Sequence, residues 1–150
     1  MKALSLWQPH ASAIELGLKP YETRPWATSY RGPLVIHAAK KQFKFDESYR
    51  EYYMELAHRF REKNFPMYAL DGTYGRALCI VDLVDCVPTA SLRGRIGRTE
   101  FWGDFRDVGD DGKSRWAFKL ENVRRLWPRP LVIGRQRFFE IHDALLKFEK

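Results

Sequence analysis

The chain has 150 residues, of which 45% are hydrophobic and 15% aromatic, with a net charge of +7. That length suits one domain spanning residues 1–150 with a core of its own, and the apolar content excludes a disordered chain. No apolar run approaches the roughly 20 residues that cross a bilayer, and Met1-Lys2-Ala3-Leu4-Ser5-Leu6 lacks a secretory leader's apolar stretch, so no membrane contact and a cytoplasmic location are expected.

Lys2 to Leu6 alternates and is predicted as a strand. Pro9 suits a helix's first turn, and the helix continues through Ala11, Ile14 and Leu16 to Gly17, a left-handed cap. Lys19 to Arg24 follows as a loop or short extended piece, and Pro33 to Ala38 as a strand buried on both faces. Phe43 to Lys63 is predicted as a long helix, with Tyr49, Tyr52, Tyr53, Leu56 and Phe60 as its packing stripe. Asn64 to Gly75 is rich in turns, and Arg76 to Val87 forms a long strand ending at Pro88. Residues 89–114 are expected to be loop with one short helix, their aromatics Phe101 and Trp102 read as anchors in preference to base-stacking rings. Arg115 to Val123 and Arg137 to Ile141 are predicted strands, and a short helix starts at Asp143. This order lacks the rhythm of alternating strands and helices of a doubly wound sheet. It points to an α+β fold: a small, mostly antiparallel barrel with two or three flanking helices, whose closure removes strand edges.

Cys79 and Cys86 fall on one predicted strand at an odd spacing, which puts them on opposite faces and argues against a disulfide. His10, His37, His58 and His142 are scattered, and no CxxC, HxH or HExxH spacing occurs, so neither a metal site nor a cofactor is expected. His37 closes an apolar strand and reads as a hydrogen-bonded core residue. Asp82, within the long strand, must be paired or protonated if buried, and reads either as an arginine's partner or as a catalytic carboxylate.

The 26 Lys and Arg outnumber the 19 Asp and Glu. Eight of these cations fall between Lys113 and Arg137, with Glu121 as the acid among them, and Arg93, Arg95 and Arg98 form a second cluster among glycines. Such a balance favours a polyanionic partner through phosphate contacts and counterion release. The densest group of chemically capable residues is Gly17-Leu18-Lys19-Pro20-Tyr21-Glu22-Thr23-Arg24. In an extended chain Glu22 and Arg24 share a side, giving a lysine, a carboxylate and a guanidinium close together. The same spacing also describes a surface ion pair of small energetic value.

Five stretches together resemble the ASCH family, the activating-signal-cointegrator homology domain related to PUA-like RNA-binding barrels. Leu4-Ser5-Leu6-Trp7-Gln8-Pro9 with Ala11-Ser12 is similar to the family's opening strand and helix start. Gly17, Lys19, Glu22 and Arg24 match its signature G-x-K-x-x-E-x-R. Arg31 to Ala39 and Ala77 to Cys86 resemble its following strands, and Trp116 to Val123, with Pro130 and Gly134, its closing pair. The resemblance departs where similar chains often carry Gly and Trp at the positions of Arg137 and Phe139.

The resemblance implies an RNA-preferring nucleic-acid-binding domain with a nucleotide in a cleft lined by the signature. Gln8, Lys19, Arg24, Arg93, Arg95, Arg98, Arg135 and Arg137 are the candidate contacts. Gln8 is preferred to Trp7 as the contact from the opening segment. The alternative is a metal-independent hydrolase in the same cleft, acting on N4-acetylcytidine or cutting RNA, with Lys19 and Glu22 as catalytic residues. The hydrolase members carry threonine at the position of Glu22 and a second carboxylate, for which Glu100, Asp104 and Asp107 are candidates. The partner is thus RNA, another nucleic acid or a modified nucleoside. A third reading, a protein-interaction module, draws on the family's name and leaves the protein partner unknown.

Overall fold

The computed structural model describes residues 1–148. Among these, six strands form one mixed sheet: β1 (Lys2–Leu6), β2 (Tyr21–Arg24), β3 (Gly32–Ala38), β4 (Ala77–Pro88), β5 (Trp116–Arg125) and β6 (Phe138–Glu140). Two α-helices, α1 (His10–Glu15) and α2 (Arg50–Arg61), and short 3-10 turns fill the connections. The strand order is β2-β5-β4-β3-β1-β6, with β1 and β3 parallel and the other pairings antiparallel. The α+β expectation therefore holds, as a curled half-barrel. The barrel does not close by hydrogen bonds, because β2 and β6 are the two ends of the sheet. Aromatic side chains fill the mouth instead: Trp26 lies edge-on to Phe118 at 5.1 Å and to Phe138 at 5.2 Å, and Tyr30 meets Phe138 at 5.8 Å.

β3 is apolar on both faces because it is buried on both. Leu34 and Ile36 join Leu4, Leu6, Ile14, Val81 and Phe118 in one core, while Val35 joins Ala3, Ile80, Leu126 and Phe139 in another. A third cluster of Ala13, Leu56, Phe60 and Trp102 ties α1, α2 and the 3-10 turn Gly97–Trp102 together. Trp102 is thus an anchor, as expected, and it fixes a segment that also builds the candidate site.

Two expectations change. The long helix starts at Arg50, not Phe43. Asp46 accepts from the Ser48 backbone N–H at 2.9 Å and opens a 3-10 turn, Glu47–Tyr49, ahead of α2. The two cysteines are free thiols, but they do not lie on opposite faces. Between Leu83 and Asp85, β4 advances two residues while β5 advances one, so Val84 is the extra residue of a bulge. One extra residue inverts the strand's alternation, and Cys86 returns to the core that holds Cys79, Val81 and Leu83. Asp82 finds its arginine: Arg124 donates from Nη2 at 2.5 Å, and Asn122 donates from Nδ2 at 3.0 Å.

Gly134 joins the sheet to the segment before β6. A Cβ there would lie 2.9 Å from His37 Cε1 and 3.0 Å from Ser5 Oγ. His37 cannot move aside, since its Nε2 is 2.7 Å from the Val132 carbonyl and its Nδ1 3.0 Å from Ser5 Oγ. Gly134→Ala is therefore expected to cost about 1–3 kcal/mol of stability through overpacking, read from denaturant midpoints. An unchanged midpoint would show that the His37 pair yields.

Candidate functional site

The site begins at the end of α1. Gly17 takes φ +77°, its N–H donates to Ile14 O at 3.0 Å, and the Leu18 N–H donates to Ala13 O at 2.9 Å. This is a Schellman closure, with Leu18 packed in the cluster that contains Ala13. It turns the chain sharply enough that Lys19 enters the interior, where it is 2% exposed. β2 then pairs with β5, and its alternation sets Glu22 and Arg24 on one side.

Three charges meet there. Glu22 Oε1 lies 3.4 Å from Lys19 Nζ, and Glu22 Oε2 accepts from Arg24 Nη2 at 2.9 Å and Nε at 3.2 Å. The Thr23 backbone N–H donates to Glu22 Oε1 at 3.0 Å, Arg24 Nη2 also donates to the Ser5 carbonyl at 2.9 Å, and Lys19 Nζ donates to the Trp102 carbonyl. Burial alone would raise the Glu22 pKa, but Lys19 and Arg24 outweigh it and hold the carboxyl at about 2. Burial works the other way on Lys19, lowering its pKa against the opposing pull of Glu22. His10, packed edge-on to Trp102 at 6.5 Å, is pushed down to about 4, first by burial and then by the Lys19 charge. At neutral pH the group therefore comprises an ionised Glu22 and a neutral His10.

Above this group lies a cleft of about 580 Å³. Lys19, Glu22 and Arg24 line it with His10, Thr23 and Arg115, and Trp7, Tyr52 and Phe101 supply aromatic walls. Trp7 is 61% exposed, and Lys41 Nζ covers the ring at 3.8 Å from its centroid. Tyr52 leans on Phe101 at 5.2 Å, so the α2 stripe expected only to pack also faces the cleft. The structure thus brings together Lys19, Glu22 and Arg24 from the signature, and adds Trp7, Tyr52, His10 and Arg115. Of the three candidate carboxylates, only Asp104 lines this cleft; Glu100 accepts from the Gly94 N–H, and Asp107 pairs with Arg93.

Other expected contacts lie elsewhere. Gln8 is buried, its Oε1 accepting from the Ser12 N–H at 2.9 Å and its Nε2 donating to Ser12 Oγ and Thr73 Oγ1, each at 2.7 Å. It serves the start of α1, and Trp7 takes its place at the cleft. Arg93 and Arg98 pair with Asp107 and Glu62 on the surface, and with Arg95 they lie outside the cleft. The basic run from Lys113 to Arg137 is also divided. Arg124 pairs with Asp82 and Arg129 with Glu15, whereas Lys113, Arg135 and Arg137 line a second cavity that shares Arg24 with the first. Among the described residues no cluster of three His, Cys, Asp or Glu is placed to hold a metal, and no helix is long and apolar enough to cross a membrane.

The depressed His10 pKa has a consequence for stability. Between about pH 6.5 and pH 4 the unfolded chain binds a proton at His10 that the folded chain does not, so stability falls as the pH falls through that window. Urea unfolding is expected to show a loss of about 2–3 kcal/mol between pH 7 and pH 4.5 from this group. His10→Gln should flatten that part of the profile; an identical slope in the variant would assign the loss to other groups.

The model of the family described as ASCH domain matches residues 4–129. Activating signal cointegrator 1 of Homo sapiens is 29% identical over 143 residues, and that of Mus musculus 27% over 142. Each alignment covers 95% of this chain and 22% of the relative, so the chain spans about a fifth of the length of these proteins. Among solved structures, the ASCH protein of Zymomonas mobilis superposes with a TM-score of 0.60 at 17% identity, over 95% of this chain and 88% of that one. That likeness bears on the fold, a curled half-barrel. With the family model matched across most of its length, from β1 to just past β5, the chain belongs to the ASCH domain family.

Proposed function

We propose that the cleft binds one nucleotide of a single-stranded nucleic acid, RNA in preference to DNA. The observation that carries this reading is the pairing, in one cleft, of an exposed aromatic rim with a buried Lys19–Glu22–Arg24 floor. A nucleobase has an apolar face and a polar edge, and its recognition requires both kinds of surface. Trp7 and Tyr52 offer the stacking surface. Arg24 offers a guanidinium to a base carbonyl, and Glu22 accepts from an exocyclic amine. The volume, about 580 Å³, lies within the usual range for a small-molecule site. The family's association with nucleic acid and the chain's net positive charge support the same class of partner.

A second reading, metal-independent hydrolysis of an acylated nucleoside or of RNA, draws on Lys19. Burial lowers the pKa of its amine, which favours the neutral form that a base or nucleophile needs. It ranks second because Glu22 and the Trp102 carbonyl both stabilise the protonated amine.

Binding of a labelled single-stranded RNA 8-mer in EDTA, beside an incubation with N4-acetylcytidine, tests both readings. Affinity should fall steeply between 50 mM and 200 mM salt, and Trp7→Ala should weaken it by about 5- to 150-fold with the melting temperature little changed. Binding that ignores both salt and Trp7 would contradict the proposal. Deacetylated cytidine or cut RNA, formed by the parent and not by Lys19→Ala, would establish the enzyme instead.

A further inference from the structure

We infer that the ligand is a strand of at least two nucleotides, whose flanking phosphate occupies the second cavity; this rests on the nucleotide-binding reading of the first. The second cavity, about 710 Å³, shares Ser5, Trp7, Arg24 and Pro25 with the first. The two are therefore neighbouring compartments of one groove, divided by the exposed Trp7 and by Arg24. A ligand stacked on Trp7 continues naturally from one into the other.

Their electrostatics differ in kind. The first compartment sets its cations against Glu22 and Asp104. The second is lined by Arg24, Lys40, Lys113, Arg135 and Arg137, with no carboxylate among the described residues of its wall. Several arginines elsewhere, namely Arg93, Arg98, Arg106, Arg124 and Arg129, are each matched with an acid. Arg24 is paired with Glu22, but Lys40, Lys113, Arg135 and Arg137 have no acid beside them among the described residues; these four cations repel one another, and an anion placed among them relieves that repulsion. A neutral nucleoside would not.

Arg137 carries a second, independent mark. Its backbone lies at φ +56°, a left-handed conformation unfavourable for a side chain that offers no local compensation. The guanidinium stands 4.9 Å from the centroid of Trp26, which also lines the second cavity. A glycine would hold this backbone without strain, yet the position carries an arginine stacked at the cavity wall. Strain of this kind collects where a ligand is clamped. Arg137 is accordingly assigned as a phosphate-positioning residue.

The experiment compares cytidine, its 5′- and 3′-monophosphates, the dinucleotide CpC and an RNA 8-mer, with parent, Arg137→Gly and Lys113→Gln. CpC is expected to bind the parent at least tenfold more tightly than cytidine. Each variant should lose several-fold affinity for CpC and the 8-mer, and reduce the salt slope by about one contact, with cytidine binding unchanged. Arg137→Gly should also melt no lower than the parent, which separates a lost ligand contact from a damaged fold. Inorganic polyphosphate should compete weakly, because it has no base for the first compartment. Equal affinity and salt slope in parent and variants would overturn the inference, while a loss on Trp7→Ala in the same assay would leave the first compartment's role intact. No binding of the 8-mer to the parent would remove both.

Discussion

An ionised glutamate lies buried between a lysine and an arginine, and the arrangement of the cleft depends on it. Without Glu22, the ammonium of Lys19 would sit in the interior beside a guanidinium, and removing one member of such a group is far more costly than its net contribution suggests. The carboxylate thereby fixes where both cations point. Arg24 reaches from it to the Ser5 carbonyl on β1, and Lys19 reaches to the Trp102 carbonyl at the end of a 3-10 turn. Three segments far apart in the chain are held at one point, and the aromatic walls of the cleft are carried by two of them and by α2.

The charge distribution then gives the two compartments different characters. A nearly neutral, aromatic compartment suits a base, whose recognition depends on stacking and on a few directed hydrogen bonds. A compartment lined by cations without carboxylates suits a phosphate, whose recognition depends on charge. The net charge of +7 is therefore a poor guide by itself, since many of the arginines counted in it are neutralised by neighbouring acids. Position relative to the acids matters more than number.

Much of the floor of the cleft was legible in the sequence because its geometry is local. Gly17 marks the helix closure, and the two-residue repeat of a strand places Glu22 beside Arg24; both follow from spacing within eight residues. The rim was not legible, because its residues meet across long separations. Tyr52 lies on α2, Asp104 and Arg115 come after β4, and no period in the sequence relates them to Lys19. Gln8 misled for a different reason: an amide beside a helix start is as useful to the helix as to a ligand, and Ser12, four residues on, was the available sign of that use. The cysteine faces failed because a bulge at Val84 breaks the alternation on which the inference rested. The helix at Phe43 began too early because aromatic periodicity continued past Asp46, the residue that caps the first turn.

The most direct measurement is a titration of isotope-labelled protein with a short single-stranded RNA, followed by NMR. The shifts are expected to concentrate at the Trp7 indole, the Arg24 side chain, and the backbone of Gly103 and Asp104, which line the first compartment. Shifts confined to Arg93, Arg95 and Arg98, or spread evenly over exposed lysines, would contradict a nucleotide-binding cleft built on Lys19, Glu22 and Arg24.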